Sequence, residues 1–513
     1  MGIAHQSFLV APVETTPDSS TAAITTREPK ETGMSVPVYD VTNAVDACVG
    51  SAADGRRRLY LAVASTYMAT LSVGLVMSYS SPALPDIRRK MGISEHDAAW
   101  FGSLLMAGGF IGGILSGQLL NLIGRKRTLC IAAVLFAAGW LCLAFADFTA
   151  LLFAGRFLGG GGMAIASAGS AVFVAEVAPT SLRGVLNTGC NFLVSLGILL
   201  GYVMGKWLDY KWLAIASLAP AVISGAAFFF YVLDSPLWLL QKGRHKEAIE
   251  SMQFYRGPLN KDEFGALESS AGNVTGMTMS DVKQPYIYKA FLCALLVLLM
   301  QQVSAINVLI FFAQDIFQDA GMSLAADNCA ILVGGILSGT FLVATLLADK
   351  VGRKPLFAIS TALSAASLAA LGLSLHFKDV KGQDFHVKYG WLPLVSIVLY
   401  FVGYSLGLGP LPFVFLGELV PLKAKGVATG VCMFIFNLTG FLITKVYTDL
   451  VDLMGTSATY WLYGFLLAVT FVFFILFVPE TKGKTLEEIE QLFGKEVPLS
   501  KLEKIDDVMT CHL

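Results

Sequence analysis

The sequence predicts an all-α membrane protein with twelve transmembrane helices, arranged as two six-helix bundles joined by a helical cytoplasmic insert. Composition, the number of long apolar segments and an internal repeat support this fold class. Of the 513 residues, 55% are hydrophobic and only 14% are charged, whereas a soluble domain carries about 25% charged residues. We therefore expect a lipid bilayer to surround most of the chain.

The same composition argues against several classes of function. The formal net charge is -1, and no basic stripe interleaved with aromatic residues is present, so nucleic acid is not an expected partner. The eight cysteines are scattered without a CxxC pair, which favours small core residues over a disulfide or metal framework. No nucleotide-binding loop is present, and GGGG at 159–162 is better explained by close helix packing. We expect no cofactor, no metal and no enzymatic activity.

Twelve segments are long and apolar enough to cross the roughly 30 Å hydrocarbon core, which needs about 20 residues of helix. Strands are not expected, because open sheet edges cannot face lipid. The segments are centred near Gly74, Gly109, Ala137, Gly162, Gly197, Ala221, Val303, Leu337, Ala366, Tyr404, Phe436 and Leu467.

Polar stretches divide the chain into five parts. The N-terminal stretch is rich in Thr, Ser and Pro and lacks the apolar core of a secretory signal, so we expect a disordered tail. The predicted parts are a cytoplasmic tail (1–57), a six-helix bundle (58–233), a cytoplasmic helical linker (234–285), a second six-helix bundle (286–478) and a cytoplasmic C-terminal tail (479–513).

Two short helices are predicted outside the membrane. In the linker, Ser235 can cap a helix that has Pro236 at its first position and Gly243 beyond its end. In the C-terminal tail, Thr485 and Glu488 form a capping box. An apolar stripe follows on that helix, and we expect the two helices to pack together beneath the membrane. The stripe consists of Leu486, Ile489, Leu492 and Phe493.

Basic residues predict the orientation, because Lys and Arg are enriched in cytoplasmic loops. Most of them fall on one side, which places both termini in the cytoplasm; Arg88, Arg89 and Lys90 are exceptions. The basic side carries Arg56 to Arg58, Arg125 to Arg127, Arg183, Lys350, Arg353, Lys354, Lys423, Lys425, Lys482 and Lys484.

Two motifs recur in the same order in the two halves of the chain. GQLLNLIGRKRTL follows the second segment and ATLLADKVGRKPLF follows the eighth; EVAPTSLRG follows the fourth and ELVPLKAKG follows the tenth. A shift of six helices brings each pair to the same side of the membrane. This pattern is typical of transporters built from two parallel six-helix repeats.

The motifs resemble those of the sugar porter branch of the major facilitator superfamily, over about residues 59–493. They are GRKR and GRKP, GRFLGGGG at 155–162, EVAPTSLRG, DSPLWL at 234–239, QQVSAIN at 301–307, GPLPFVFLGE at 409–418 and PETKGKTLEEIE at 479–490. YSSPALP at 79–85 and AAWFGSLL at 98–105 are similar to the insect facilitated trehalose transporters and the vertebrate facilitative hexose carriers. The resemblance implies a major facilitator fold and a small-molecule sugar substrate.

Charges at the basic side have two interpretations. They can be solvated loop charges that set topology, or they can form ion pairs that hold the two bundles together. A carboxylate at a helix C-terminus needs a nearby cation, which favours ion pairs at Glu176 and Glu418. The resemblance implies a cytoplasmic latch, closed in the outward-open state, formed by Arg125, Lys126, Glu176, Arg183, Asp349, Arg353, Lys354, Glu418 and Lys425.

Polar residues interrupt the seventh apolar segment. Gln301, Ser304 and Asn307 would share a stripe on a straight helix, while Gln302 lies to one side. Such groups either tie membrane helices together or line a wet cavity. The resemblance implies a sugar site at Asn191, Gln301, Gln302, Asn307, Phe413 and Asn437, with an outer gate at Phe311 and Phe312.

Several residues depart from the pattern of the family. Ala305 replaces a glycine that lets the seventh helix bend, and Phe311 and Phe312 replace a tyrosine pair. The other departures are Asn121 for an aspartate, Leu337 for an asparagine, Phe413 and Leu438 for tryptophans, and Lys425 for an arginine. A less polar site and a different sugar preference are expected.

The first helix favours facilitated diffusion over proton coupling. Its run YMATLSVGLVMSYSSPAL has no acidic residue, whereas proton-coupled relatives carry one there because a carboxylate must change charge in the cavity. A proton-coupled symporter is the alternative, and a sugar sensor without transport is a further one. We expect a monomer in the plasma membrane.

Overall fold

The computed structural model describes residues 52–257, 264–265, 267–268, 284–319, 325–381, 389–421, 425–482, 484 and 486–494. Within these residues the regular structure is helical, and twelve helices are long and apolar enough to cross a membrane. We call them the first to twelfth spans. They are Ala52–Ser78, Glu95–Ile123, Arg125–Ala144, Thr149–Val177, Thr180–Gly205, Tyr210–Phe230, Pro285–Phe311, Ala326–Val351, Arg353–Lys381, Leu392–Leu419, Lys425–Met454 and Thr456–Phe477.

The spans pack as two groups, which confirms the predicted fold class. In the first half the fourth span packs on the second and third, and the first span packs on the fifth and sixth. In the second half the ninth span packs on the tenth and twelfth, and the seventh packs on the tenth, eleventh and twelfth. The second span meets the eleventh, and the fifth meets the eighth, so these two pairs join the halves.

Glycines set the close packing of the second and fourth spans. A Cβ on Gly160 would lie 1.9 Å from the carbonyl oxygen of Leu105, and one on Gly108 would lie 1.9 Å from that of Phe157. Neither position can hold a side chain unless the backbones separate. The GGGG run therefore serves helix packing, as predicted.

The second and sixth spans begin at residues whose side chains accept hydrogen bonds from free backbone N–H groups. At the second span, Ser94 and Asp97 form a capping box, with the Asp97 N–H donating to Ser94 Oγ over 3.1 Å. At the sixth span, the Trp212 N–H donates to Asp209 Oδ1 over 3.2 Å. The first helix begins at Ala52, inside the stretch 1–57 predicted to be a disordered tail, because Asp54 suits the positive end of a helix.

The short linker helix forms as predicted. Ser235 Oγ accepts from the Trp238 N–H over 3.4 Å, Pro236 starts the helix Pro236–Gln241, and Gly243 follows with a φ of 72°. A second linker helix, His245–Arg256, packs against it and against the first span.

The C-terminal helix Leu486–Leu492 departs from the prediction in two ways. Ile489 and Phe493 are buried, but Leu492 is 51% exposed, so the predicted stripe is narrower. The helix packs against the seventh and tenth spans, whereas the linker helices pack against the first half, so their main contacts are not with each other. The proposed cap residue Thr485 lies outside the described residues.

Two spans are interrupted at the middle of the second half. The seventh span is helical over Pro285–Val303 and resumes at Ile306–Phe311, followed by Ala313–Asp319. Ala305 at this break has a φ of 62°, in the left-handed region. The tenth span contains a π-helical turn, Tyr404–Leu408, before Pro410 and Pro412.

Candidate functional site

The break in the seventh span places two predicted amides face to face. Asn307 Nδ2 donates to Gln302 Oε1 over 2.6 Å, and both side chains are buried. Asn307 Nδ2 also lies 3.9 Å from Met106 Sδ on the second span. On the eleventh span, Gly440 leaves the space these amides occupy, since a Cβ there would lie 3.0 Å from Gln302 Nε2. The pair therefore lies where the second and eleventh spans join the halves.

Gln301 points instead to the interrupted tenth span. Its Nε2 donates to the Tyr404 hydroxyl over 2.8 Å and to the Gly409 carbonyl oxygen over 3.1 Å. Its Oε1 is buried and has no hydrogen-bond partner among the described residues. The straight-helix stripe predicted for Gln301 and Asn307 is thus divided by the break, and the two amides contact different spans.

A tyrosine outside the predicted set stabilises the break. The Tyr400 hydroxyl lies 2.8 Å from the Ser304 carbonyl oxygen and 3.0 Å from Ser304 Oγ. Ser304 Oγ itself donates to the Gln301 carbonyl oxygen over 2.6 Å. These bonds use polar groups at the interruption, which buried backbone requires.

The remaining predicted site residues lie on three different spans, the fifth, tenth and eleventh. Asn437 is buried on the eleventh span, donates to the Met433 carbonyl oxygen over 2.8 Å and lies against Gly109 of the second span. Phe413 is 43% exposed and meets Phe436 edge-on at 5.7 Å between ring centroids. Asn191 on the fifth span is exposed.

The two phenylalanines predicted to form an outer gate are both buried. Phe311 is fully buried, with the Arg156 guanidinium carbon 5.7 Å from its ring centroid. Phe312 stacks on Tyr447 of the eleventh span at 5.7 Å, and a Cβ on Gly102 of the second span would lie 2.8 Å from its ring. The junction is therefore packed shut at this level.

Arg156 is a buried charge that the sequence reasoning did not assign. It is fully buried in the fourth span, where Nε donates to the Phe101 carbonyl oxygen over 3.1 Å and Nη1 to that of Val76 over 2.7 Å. Its guanidinium also faces the Phe101 ring at 5.2 Å. An arginine inside an apolar segment is itself a signal of function, and the GRFLGGGG motif contains it.

Ion pairs between the halves were also missed. They lie at the face opposite the basic loops, which we call the opposite face. Arg88, after the first span, lies 2.9 Å from Asp315 of the second half and 2.8 Å from Glu95. Lys206, after the fifth span, lies 3.8 Å from Asp327 at the start of the eighth. The clue was Arg88 itself, an exception to the charge bias.

A neighbouring carboxylate at the opposite face is held in its charged form. Burial raises the pKa of Asp86, but hydrogen bonds from the Tyr210 N–H, Lys90 and Arg89 outweigh it, so the pKa is lowered. Lys90 also bonds Asp209 Oδ2 over 2.7 Å. Each of the basic residues at 88–90 is thus paired with at least one carboxylate.

Two ion pairs at the basic side lie within one half each. Arg125 forms a bidentate ion pair with Glu176, in which Nε donates to Oε2 over 2.7 Å and Nη2 donates to Oε1 over 2.6 Å. Arg353 Nη2 lies 3.4 Å from Glu418 Oε1, and Arg183 is exposed. The side chains of Asp349 and Lys425 lie outside the described residues.

Two carboxylates cap the helices that begin with GRK, and they repeat between the halves. The Lys126 N–H donates to Asp234 Oδ1 over 2.8 Å, and the Lys354 N–H donates to Glu480 Oε2 over 2.9 Å. Burial raises the pKa of Asp234 against the lowering effect of the backbone N–H groups of Lys126 and Arg125. The DSPLWL and PETKG motifs therefore supply equivalent caps to the third and ninth spans.

This repeated architecture agrees with a match to the family described as "Sugar (and other) transporter" over residues 41–493. The chain belongs to this family. "Facilitated trehalose transporter Tret1" of Aedes aegypti is 33% identical over 456 residues, which cover 87% of this chain and 56% of that protein. "Solute carrier family 2, facilitated glucose transporter member 8" of Bos taurus is 32% identical over 467 residues, covering 86% and 96%. The chain thus spans little more than half of the mosquito relative.

A solved structure confirms the fold. The MFS (major facilitator superfamily) proton:xylose symporter XylE, from E. coli, bound to 6-bromo-6-deoxy-D-glucose, matches with a TM-score of 0.70 at 23% identity. The match covers 85% of this chain and 99% of that chain. The chain is therefore a member of the sugar transporter family that has the major facilitator fold and twelve candidate membrane spans.

Proposed function

We propose that the protein carries a neutral sugar, trehalose or a hexose such as glucose, across the membrane by facilitated diffusion. The observation that carries this proposal is the set of uncharged amides, Gln301, Gln302 and Asn307, buried at the break of the seventh span where the halves meet. Amides both donate and accept hydrogen bonds, as sugar hydroxyls do. A neutral ligand needs no buried ion, which would be costly.

The predicted contacts around these amides complete the proposed site. Phe413 offers an aromatic face for the apolar side of a sugar ring, and Asn437 lies one turn from Gly440 on the eleventh span. Asn191 would reach the sugar from the first half, where its exposed side chain is free to approach. Rocking of the two halves, corresponding to residues 58–233 and 286–478, would expose the site to each side in turn.

The composition of the first span and the hydrogen-bond partners of Arg156 favour uniport over proton coupling. No acidic residue lies between Tyr67 and Leu84, in the first span and the start of the helix that follows it. Arg156 donates to the backbone carbonyl oxygens of Phe101 and Val76. A proton-coupled symporter would need a carboxylate that changes charge in the cavity. Symport is the second candidate, and a non-transporting sensor is the third.

We also propose the orientation. With the basic face in the cytoplasm, Phe311 and Phe312 form an outer gate, and both termini and residues 234–285 are cytoplasmic. The closed gate and the Arg88–Asp315 pair then correspond to a state shut to the outside. The latch residues, among them Glu176, Arg183 and Glu418, would bridge the halves in the outward-open state. We propose a plasma-membrane monomer.

Uptake into proteoliposomes tests the function directly. Purified protein should carry labelled trehalose or glucose down its gradient at the same initial rate with and without an imposed proton gradient. Uptake that collapses when the proton gradient is removed would establish symport instead. If no sugar is taken up although the protein is folded and inserted, the sensor becomes the better explanation.

Gln302→Ala tests the site. Its loss removes the acceptor for Asn307, and we expect sugar transport to fall about tenfold or more while surface expression persists. Ser374→Ala is a suitable control, because this buried hydroxyl bonds only its own helix, at the Leu371 carbonyl oxygen. Equal loss of folded protein in the Gln302 variant would support a helix-packing role instead.

A further inference from the structure

The orientation of the Gln301 amide is determined by its surroundings. The Gly409 carbonyl oxygen can only accept, so the nitrogen of the amide must face it, at 3.1 Å. The other hydrogen on Nε2 then points to the Tyr404 hydroxyl oxygen at 2.8 Å. With both hydrogens used, Oε1 is left as a pure acceptor, and it is buried with no donor in the described part of the chain.

Tyr404 is in the complementary position. Its oxygen accepts from Gln301, so its own hydrogen remains to be donated, and its described hydrogen bond is the one with Gln301. Tyr404 lies in the π-helical turn Tyr404–Leu408, and the residue is 7% exposed. Its ring stacks on that of Tyr400, with 6.2 Å between the ring centroids. A free acceptor and a free donor therefore adjoin each other at the break of the seventh span.

Leaving a buried polar atom without a partner is unfavourable, so a ligand that supplies the partner should bind about ten- to a hundredfold more tightly than one that does not. A hydroxyl group can donate to one atom and accept from another at the same time. The Gln301 Oε1 and Tyr404 O–H pair matches that capacity. A protonated ammonium group, which can only donate, or a carboxylate, which can only accept, would leave one member of the pair unsatisfied.

We propose that Tyr404 is a specificity-determining residue that, with Gln301, recognises a single sugar hydroxyl as both donor and acceptor. This proposal rests on the proposed transport of a neutral sugar. Its alternative is a purely structural tyrosine, whose ring packing against Tyr400 would persist in a phenylalanine variant.

Substituted sugars separate these two roles. For the transported sugar, a series of analogues is prepared in which one hydroxyl at a time is replaced by fluorine or by hydrogen. At the recognised position, the fluorine of the fluoro analogue can still accept from the Tyr404 O–H, but it has no hydrogen to donate to Gln301 Oε1. We expect competition for uptake to fall in the order hydroxyl, fluoro, deoxy, with the deoxy analogue about ten- to a hundredfold weaker than the parent.

Tyr404→Phe removes the donor and keeps the ring. We expect the fluoro and deoxy analogues to become equal at that position, while the ratios at other positions stay unchanged. Tyr400→Phe is the matched control, since its hydroxyl is used by Ser304, and it should preserve the fluoro preference.

The outcomes are distinct. Transport by Tyr404→Phe with every analogue ratio unchanged would overturn the role of Tyr404 but leave the transport function intact. If Tyr404→Phe does not fold, the wild-type series decides, because the absence of any position with the order hydroxyl, fluoro, deoxy excludes the proposal. Lack of sugar uptake by the wild type would remove both proposals.

Discussion

Ala305 is the one non-glycine residue with a positive φ in the described ranges, at 62°. This left-handed conformation costs an L-residue roughly 1 to 2 kcal/mol. The neighbouring bonds from Tyr400 and the burial of Ala305 hold the residue there. Strain of this kind lies at the point where the seventh span must change shape during the proposed transport cycle.

Ala305→Gly should relieve that strain. We expect the variant to unfold at a higher temperature, with a gain of about 0.5 to 1 kcal/mol after the larger chain entropy of glycine is subtracted. Thermal unfolding in detergent measures this. Ala294→Gly, in the regular part of the same span, should instead lose about 1 kcal/mol. A loss of similar size at Ala305 would show that no strain is stored there.

Gly440 tests the packing of the amide pair from the opposite direction. A methyl group at this position would approach Gln302 Nε2 and Asn307 Nδ2 at 3.0 and 3.2 Å, so the amides would have to move. We expect Gly440→Ala to reduce sugar uptake at least several-fold while the protein remains folded. Gly430→Ala, on the same span with open space at its Cβ, should transport normally. Normal uptake by both variants would argue against the amide site.

At the scale of elements, the opposite face is held shut by charges on short segments outside the regular spans. Arg88 belongs to the helix Ser80–Met91 and Asp315 to the helix Ala313–Asp319, and they join the two halves. The Tyr202 hydroxyl of the fifth span adds a bond to the Ile310 carbonyl oxygen over 2.8 Å. These contacts join the last part of the broken seventh span and the helix that follows it to the first half.

Asp315→Asn should weaken this closure, because the ion pair with Arg88 becomes a weaker hydrogen bond from the guanidinium to a neutral amide. In a cysteine-free background, spin labels at the exposed positions 207 and 453 would report the separation of the halves at the opposite face. We expect a larger population of long distances than in the wild type. Lys211→Ala breaks a pair with Asp147 inside the first half and should leave the distribution unchanged. Identical distributions for all three proteins would remove the closure role.

At the scale of the whole molecule, the two halves use the same device at the basic side. A carboxylate that follows the last span of each half, Asp234 or Glu480, accepts from the backbone at the start of the third span of that half. Each therefore ties the end of its half to the helix that begins with GRK. The sequence repeat is thus a repeat of contacts, and we expect each half to move as one body in the proposed transport cycle.

Asp234→Ala and Glu480→Ala should each cost about 0.5 to 2 kcal/mol, the usual value of a helix cap. Because the sites lie in different halves, the losses should add in the double variant. Thermal unfolding in the same detergent provides the comparison, with Glu250→Ala on the exposed side of the linker helix as a control near zero. If the double variant is no less stable than either single variant, the two caps are coupled, which contradicts the independence of the halves.

The sequence by itself determined the twelve spans, the repeat and the chemistry of the seventh span. Long apolar runs, paired GRK motifs and clustered amides are local signals whose meaning in a membrane is nearly unique, because lipid offers backbone no hydrogen bonds. Ser235 as a cap and GGGG as a packing surface are local in the same sense, and both were predicted.

Only the tertiary structure decided how those residues are used. The prediction that Gln301 and Asn307 share a stripe on a straight helix was wrong, because contacts with a distant span hold Ala305 in a left-handed conformation. Helix propensity does not encode such contacts. Arg88–Asp315, the Asp234 cap and the Tyr404–Gln301 bond likewise join residues far apart in the chain. A sequence specifies which groups are polar, but whether a buried group finds its partner depends on the packing of whole helices.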